Sequence, residues 1–389
     1  MTTLPRTPSP LPAGRIVSID AFRGLTFTLM LFVNFIAGAS GTPQALHHVA
    51  ASVDGMGLAD VVFPAFLFAV GLPIPFSMRS RMARGATLVQ VQRHTAYRAL
   101  ALVVMGLFMV NGETGYNAQA TGVPLAVWSL GFYVAAALVW GVYRFKNKMV
   151  ERAMRTAGVA LLLVLALVYR GGPDGVSMMA PHWWGILGLI GWAYLVAGLI
   201  YQLVRARIML LLAAIVLSIA AFVLCDAYAV LPGWAAHTGH VAIVLSGVVC
   251  AAIFFEGGKR LRDVTLFAVA LAGAAWLLHQ FYPVSKIGAT PPWALYCAAI
   301  CVAVYAALYW LIEVRGQRRW TAIVEPAASS PLVTYLIPFV LEALMSLMGV
   351  EWSHHLRHGA AAMLFALVFS GAVLMLVAGL NRYNIKLKL

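Results

Sequence analysis

Two adjacent imidazoles, His47 and His48, follow Asn34 and precede two carboxylates, Asp54 and Asp60. A histidine with an ordinary pKa near 6.5 takes a proton from an alcohol or an ammonium nucleophile without strong tuning. A nearby carboxylate fixes the ring tautomer or holds a substrate, and an amide donates to charge that develops on an oxygen. His48, Asn34 and Asp60 therefore form the candidate catalytic set, with His47 as a candidate substrate contact. Each has a plainer reading as well. Asn34 needs hydrogen-bond partners from a neighbouring helix or from a ligand, and Asp60 suits the first turn of a helix, where the macrodipole favours a carboxylate.

The elements that position these residues lie in a membrane. The chain is 62% hydrophobic and 10% charged, with a mean hydropathy of +0.88, so nearly every window of about twenty residues is apolar enough to span a bilayer. Apolar runs interrupted by charge or by Gly, Pro and Asn predict twelve spans, near 21–40, 58–78, 96–112, 122–143, 154–170, 183–204, 207–227, 239–256, 263–283, 291–314, 330–350 and 359–380. The spans near 96 and 154 are short. Lys and Arg test the count, because short cytoplasmic loops collect them. All but Arg170, Lys286 and Arg357 fall in alternate loops. The expectation is an all-α polytopic bundle of about twelve transmembrane helices with both termini cytoplasmic. Residues 1–14, with four prolines, read as a disordered cytoplasmic tail, 15–389 as a single transmembrane domain, and no cleavable signal peptide is seen.

The net charge of +14 follows from that topology. The cations face lipid head groups, and no aromatic-interleaved basic patch speaks for a nucleic-acid partner. Cys225, Cys250, Cys297 and Cys301 all fall within spans, where a small apolar side chain is the ordinary reading.

On this topology Asp20 and Arg23 share a face at the cytoplasmic start of the first span, where they can simply pair. Asn34 lies in the outer half of that span, and His47 and His48 lie outside. Asp60 opens the second span, whose Pro64, Pro73 and Pro75 predict a kink. His182 beside Trp183 and Trp184 reads as an interfacial belt or as a cavity wall. Lys286 faces the exterior, where it meets a substrate or a lipid phosphate. Glu342 lies inside a span, either as a sugar or proton contact or as a neutral, hydrogen-bonded acid. His354, His355 and His358 crowd the last exterior loop, but only Glu351 stands near them as a carboxylate, and no metal site is expected.

Several stretches carry a family resemblance: Arg15-Ile-Val-Ser18-Ile-Asp20-Ala-Phe-Arg23-Gly24, Phe32-Val-Asn34, His48, and Leu58-Ala-Asp60-Val-Val-Phe-Pro64. Further along are Pro181-His182-Trp-Trp-Gly185, Ser285-Lys286-Ile-Gly-Ala-Thr290-Pro-Pro-Trp293 and Pro331-Leu-Val-Thr-Tyr335. Together they resemble the transmembrane acyltransferase family of heparan-α-glucosaminide N-acetyltransferase, in its bacterial, NagX-type branch. The resemblance implies a multi-pass protein of a bacterial inner membrane. It would carry an acetyl group from cytoplasmic acetyl-CoA, a co-substrate, to the amine of an amino sugar outside. The family histidine maps onto His48 with two residues looped out, the amide onto Asn34 and the carboxylate onto Asp60. With Gly55 aligned instead, Ala50 stands opposite that histidine, and the Trp of the lysosomal enzyme's short His-Ala-Ser-Trp-Asn-Gly segment has no counterpart in this loop.

Acetyl transfer from a thioester to an amine needs a base and an oxyanion donor, tasks that suit His48 and Asn34. Direct attack by the amine is favoured over an acetyl-histidine intermediate, since nothing in the sequence supplies a second step. Arg15 and Arg23, with Asp20 beside them, and the Arg79 to Arg98 cluster are the expected contacts to CoA phosphates, or else merely enforce topology. His47, His182, Lys286 and Glu342 are the expected acceptor contacts. A homodimer is compatible with the family. The rival readings are a secondary transporter of a sugar or cell-wall fragment and a non-catalytic sugar- or lipid-binding protein.

Overall fold

Long apolar runs satisfy their backbone polar groups within helices, the economical solution in hydrocarbon. The computed structural model describes residues 16–228, 235–255 and 261–389. The expected tail, Arg15 and the loop cations Lys259 and Arg260 lie outside the described residues. Regular structure within them is helical: α1 Val17–Ala37, α2 Leu58–Gly71, α3 Ile74–Ala83, α4 Leu88–Glu113, α5 Ala118–Thr121, α6 Leu125–Trp140, α7 Lys148–Val168 and α8 Gly185–Val204. After these come α9 Ile208–Ala227, α10 Ala235–Phe255, α11 Leu261–His279, α12 Pro291–Tyr309, α13 Thr321–Ser329, α14 Pro331–Leu347 and α15 Gly359–Arg382.

Among the described residues nine helices are long and apolar enough to cross a membrane, with Leu58–Ala83 taken as one span. The chain is a multi-pass membrane protein. Three expected spans take other forms. The one near 122–143 is the 16-residue α6. The one near 154–170 is α7, whose opening turns carry Lys148, Glu151, Arg152 and Arg155. The one near 330–350 is α14, which meets α13 at 83°. Ser330 precedes Pro331, whose ring drives it out of helical geometry, to φ −136° and ψ 63°. In the second span the break falls at Leu72 and Pro73, between α2 and α3, while Pro64 lies inside α2.

The chain forms two compact units, and four of the helices, α1, α4, α8 and α13, are divided between them. Unit 1 comprises residues up to Thr26, His47–Ala96 and Trp192–Thr321. Its centre is α10, which packs against α2, α9 and α12, while α11 packs along α12. The α2–α10 contact depends on two glycines. A Cβ on Gly71 would sit 2.0 Å from the Val244 carbonyl oxygen, and one on Gly247 would sit 2.4 Å from that of Phe68. Small residues let backbones approach this closely, where lipid offers no hydrophobic drive to hold helices together.

Unit 2 comprises Phe27–Leu46, Tyr97–Gly191 and Ala322–Leu389. There α6 packs on α7 and α14, and α14 on α15. Buried Trp128 donates its indole N–H to the Leu165 carbonyl at 3.0 Å, while Phe132 stacks on Phe108 at 5.1 Å between centroids. In unit 2, isolated backbone bridges join loops that are distant in sequence. Ser40 pairs with His358, Tyr116 with Gly171, and Gly141 with Leu387.

Candidate active site

The loop after α1 and the first turn of α2 bring His48 onto Asp60 in unit 1. Asp60 sits in the first turn, where its carboxylate reaches back so that Oδ2 accepts the Gly57 N–H at 3.0 Å. The same oxygen accepts the Val49 N–H at 3.0 Å, which folds the loop over the helix start. Oδ1 lies 2.7 Å from His48 Nδ1. The helix-capping role and the imidazole contact are thus met by one side chain. Because an ionised carboxylate only accepts, Nδ1 carries the ring proton and Nε2 holds the lone pair. The Asp60 side chain is 1% exposed and that of His48 45%. The carboxylate is buried and fully partnered, while nearly half of the imidazole side chain is exposed.

Support comes from α12. Fully buried Trp293 donates its indole N–H to the Asp60 carbonyl at 3.2 Å, and Cys297 lies 3.9 Å from the same oxygen. Buried His240 of α10 packs edge-on against Phe63 and Trp293 behind this turn.

The loop between α11 and α12 closes the site from the other side. Asp54 accepts from His279 Nε2 at 2.9–3.0 Å and from the Val284 N–H at 2.8 Å, and the Gly55 N–H returns to the Val284 carbonyl at 3.0 Å. The His279 bond, followed by the Val284 one, holds the Asp54 carboxyl below its ordinary pKa. Beyond this clamp, Lys286 Nζ lies 3.2 Å from His48 Nδ1 and 3.3 Å from Nε2. Burial lowers the Lys286 pKa from the usual lysine range, against the pull of Asp60 and Cys297.

His47 is half-buried next to His48. At the other end of unit 1, Arg23 pairs with Asp20 at 3.3 Å, as their spacing allows. Asn34, His182 and Glu342 belong to unit 2, where all three are exposed. The Asn34 side chain makes no hydrogen bond among the described residues. Glu342 lies within electrostatic reach of Glu113 and Tyr133, and His358, the last histidine of the loop before α15, meets the Ser40 hydroxyl through Nδ1 at 2.9 Å.

Sequence reasoning missed His279, Trp293 and Cys297 as parts of this site. The stretch from Ser285 to Trp293 was visible as a motif. Nothing local pairs it with the main-chain carbonyl of Asp60, 233 positions earlier in the chain.

A family model described as a domain of unknown function (DUF5009) matches residues 15–231. Heparan-α-glucosaminide N-acetyltransferase of Homo sapiens is 37% identical over 97 residues, and that of Mus musculus 34% over 99. Each match covers 25% of this chain and 14% of the relative's length. The resemblance to the heparan-α-glucosaminide N-acetyltransferase family read from the motifs is borne out by these matches, which do not test the bacterial branch.

Proposed function

Because the chain belongs to the DUF5009 family and is similar over a quarter of its length to an N-acetyltransferase, we propose that it is a membrane acetyltransferase. In this reading it moves an acetyl group from cytoplasmic acetyl-CoA to the amine of a glucosamine-like amino sugar at the exterior face of a bacterial inner membrane. The twelve-span plan with cytoplasmic termini is part of the same reading, as are Arg15 and Arg23, with Asp20, at the CoA phosphates. The observation that carries it is the His48–Asp60 pair at 2.7 Å, a buried carboxylate on a half-exposed imidazole.

Asp60 holds the tautomer in which Nε2 is basic, and His48 takes a proton from the acceptor nitrogen. That nitrogen attacks the thioester carbonyl carbon, a C–N bond forms, and the carbonyl π electrons move onto oxygen. Collapse breaks the C–S bond, and the imidazolium returns its proton to the departing thiolate. An acceptor that enters as ammonium leaves one further proton in solution. Asn34 keeps its expected part as an amide donor to the acyl oxygen or to the acceptor, and His47 as an acceptor contact.

The test is CoA release by purified protein given acetyl-CoA and glucosamine. Release that His48→Ala abolishes supports the enzyme, whereas sugar uptake into liposomes without CoA release supports a transporter. Labelled acetyl trapped on the protein by acetyl-CoA alone would overturn direct transfer.

A further inference from the structure

The contact between Lys286 and His48 is not an ordinary hydrogen bond. An ammonium nearly equidistant from both ring nitrogens, at 3.2 and 3.3 Å, cannot lie in the imidazole plane, because the Cε1–H between them would occupy its place. It stands over the edge of the ring. The in-plane lone pair on Nε2 therefore stays open to an incoming amine.

Beyond these ring contacts the ammonium has N–H bonds left over. Among the described residues no carboxylate or carbonyl oxygen lies within hydrogen-bonding distance of Nζ, although the side chain is half-buried. Asp60 is the nearby carboxylate and Cys297 the nearby thiol acting on it, both at longer range. Meanwhile the backbone beneath Lys286 is tightly held. Thr290 Oγ1 donates to the Pro283 carbonyl at 2.7 Å and accepts the Ser285 N–H at 3.0 Å, and the Gly288 N–H reaches Ser285 Oγ at 3.2 Å. Ala289 takes a left-handed φ of 45° to close the turn. A cation preplaced on a rigid loop with vacant donors costs no reorganisation when charge appears beside it.

We propose that Lys286 is a catalytic residue whose ammonium donates to the oxyanion formed from the thioester carbonyl while His48 Nε2 holds the attacking amine. The assignment rests on the acetyl-transfer reading. An amine at hydrogen-bond distance from Nε2 sits about 3 Å from it, and the acyl carbon about 3 Å further on. With its carbonyl turned toward the face of the ring that Lys286 covers, the acyl oxygen comes within reach of the ammonium. Attack by nitrogen places one negative charge on that oxygen, the ammonium N–H bonds receive it without transferring a proton, and collapse to the amide returns the pair to the C=O bond as the C–S bond breaks.

The experiment is steady-state CoA release from acetyl-CoA and glucosamine by wild type, Lys286→Met and Lys286→Arg, each purified in detergent, followed from neutral to alkaline pH. Lys286→Met is expected to lower kcat by about 10²-fold with KM values little changed, the pattern of a donor used in the transition state. The charged form is the active one, so wild-type kcat falls with rising pH before the usual lysine value of about 10.4. Lys286→Arg keeps much of the activity and loses that alkaline limb, an effect that a merely structural lysine would not produce. If Lys286→Met fails to fold, the alkaline limb of Lys286→Arg decides alone. Wild-type kcat in Lys286→Met, or an unmoved alkaline limb in Lys286→Arg, overturns the assignment while leaving the acetyltransferase intact. A wild type that releases no CoA overturns both.

Discussion

Two carboxylate–imidazole pairs lie close together in unit 1, and they differ in almost everything but chemical type. Asp60 is buried, takes two backbone N–H bonds besides the ring, and meets His48 through Nδ1. Asp54 is 53% exposed and meets His279 through Nε2. The first pair leaves a basic Nε2 at the site, with a lysine over the ring. The second spends its Nε2 on the bond and ties two loops together. Burial and the choice of ring nitrogen, more than residue type, separate a base from a clamp.

Removing the bases gives the widest separation. His48→Ala should cut CoA release by about 10²-fold to 10⁴-fold, the usual range for a lost general base, while His279→Ala leaves most of the rate. Equal losses in the two variants would erase the distinction. Next, Asp60→Asn should lower kcat by about 10²-fold or more, because the amide can donate to Nδ1 and so favours the wrong tautomer. Asp54→Asn is the matched control, with a rate change of at most about fivefold, as expected of an exposed pair.

A smaller effect follows from the indole that supports only the first pair. Trp293→Phe removes the donor to the buried Asp60 carbonyl and should cost about 1 kcal/mol of stability, read as a lower thermal midpoint in detergent. No change there would mean that the Asp60 turn stands without it.

The smallest effect is one of pH. The folded pKa of Asp54 is depressed, so its tie contributes stability above the unfolded value of about 3.9 and loses it as pH falls through the folded value. Limited proteolysis of the loop between Val49 and Gly57 should therefore be flat from neutral pH down to about pH 4 and accelerate only below it. Acceleration near pH 6 would show that another group controls the clamp.

Much of the helical plan was legible because hydropathy and charge are local properties of a run of residues. The alternation of Lys and Arg brought the loop of His48 and the loop of Lys286 to one face before any contact was known. Boundaries read less well where local rules compete. At Ser330–Pro331 the proline turned one expected span into a bent pair, and at α7 the charged opening turns shortened the apolar run. For the site, His48 and Asp60 could be chosen by type and spacing, since a loop of this length can fold back on the helix it precedes. Asn34 was chosen in the same way, but lies in the other unit with its side chain exposed and unbonded.

By itself the sequence determined that this chain lives in a membrane, that its loops alternate in charge, and that a histidine precedes a helix-starting carboxylate by twelve residues. Those conclusions follow from transfer free energies and helix-end electrostatics, which act over one or two turns. Only the tertiary structure decided that Lys286, 238 residues from His48, covers the imidazole, that His279 clamps Asp54, and that Trp293 holds the Asp60 turn. These contacts depend on how α2, α10, α11 and α12 pack, through close approaches such as Gly71 to Val244. Packing of that kind is a property of surfaces meeting across long loops, and local sequence pattern does not encode it.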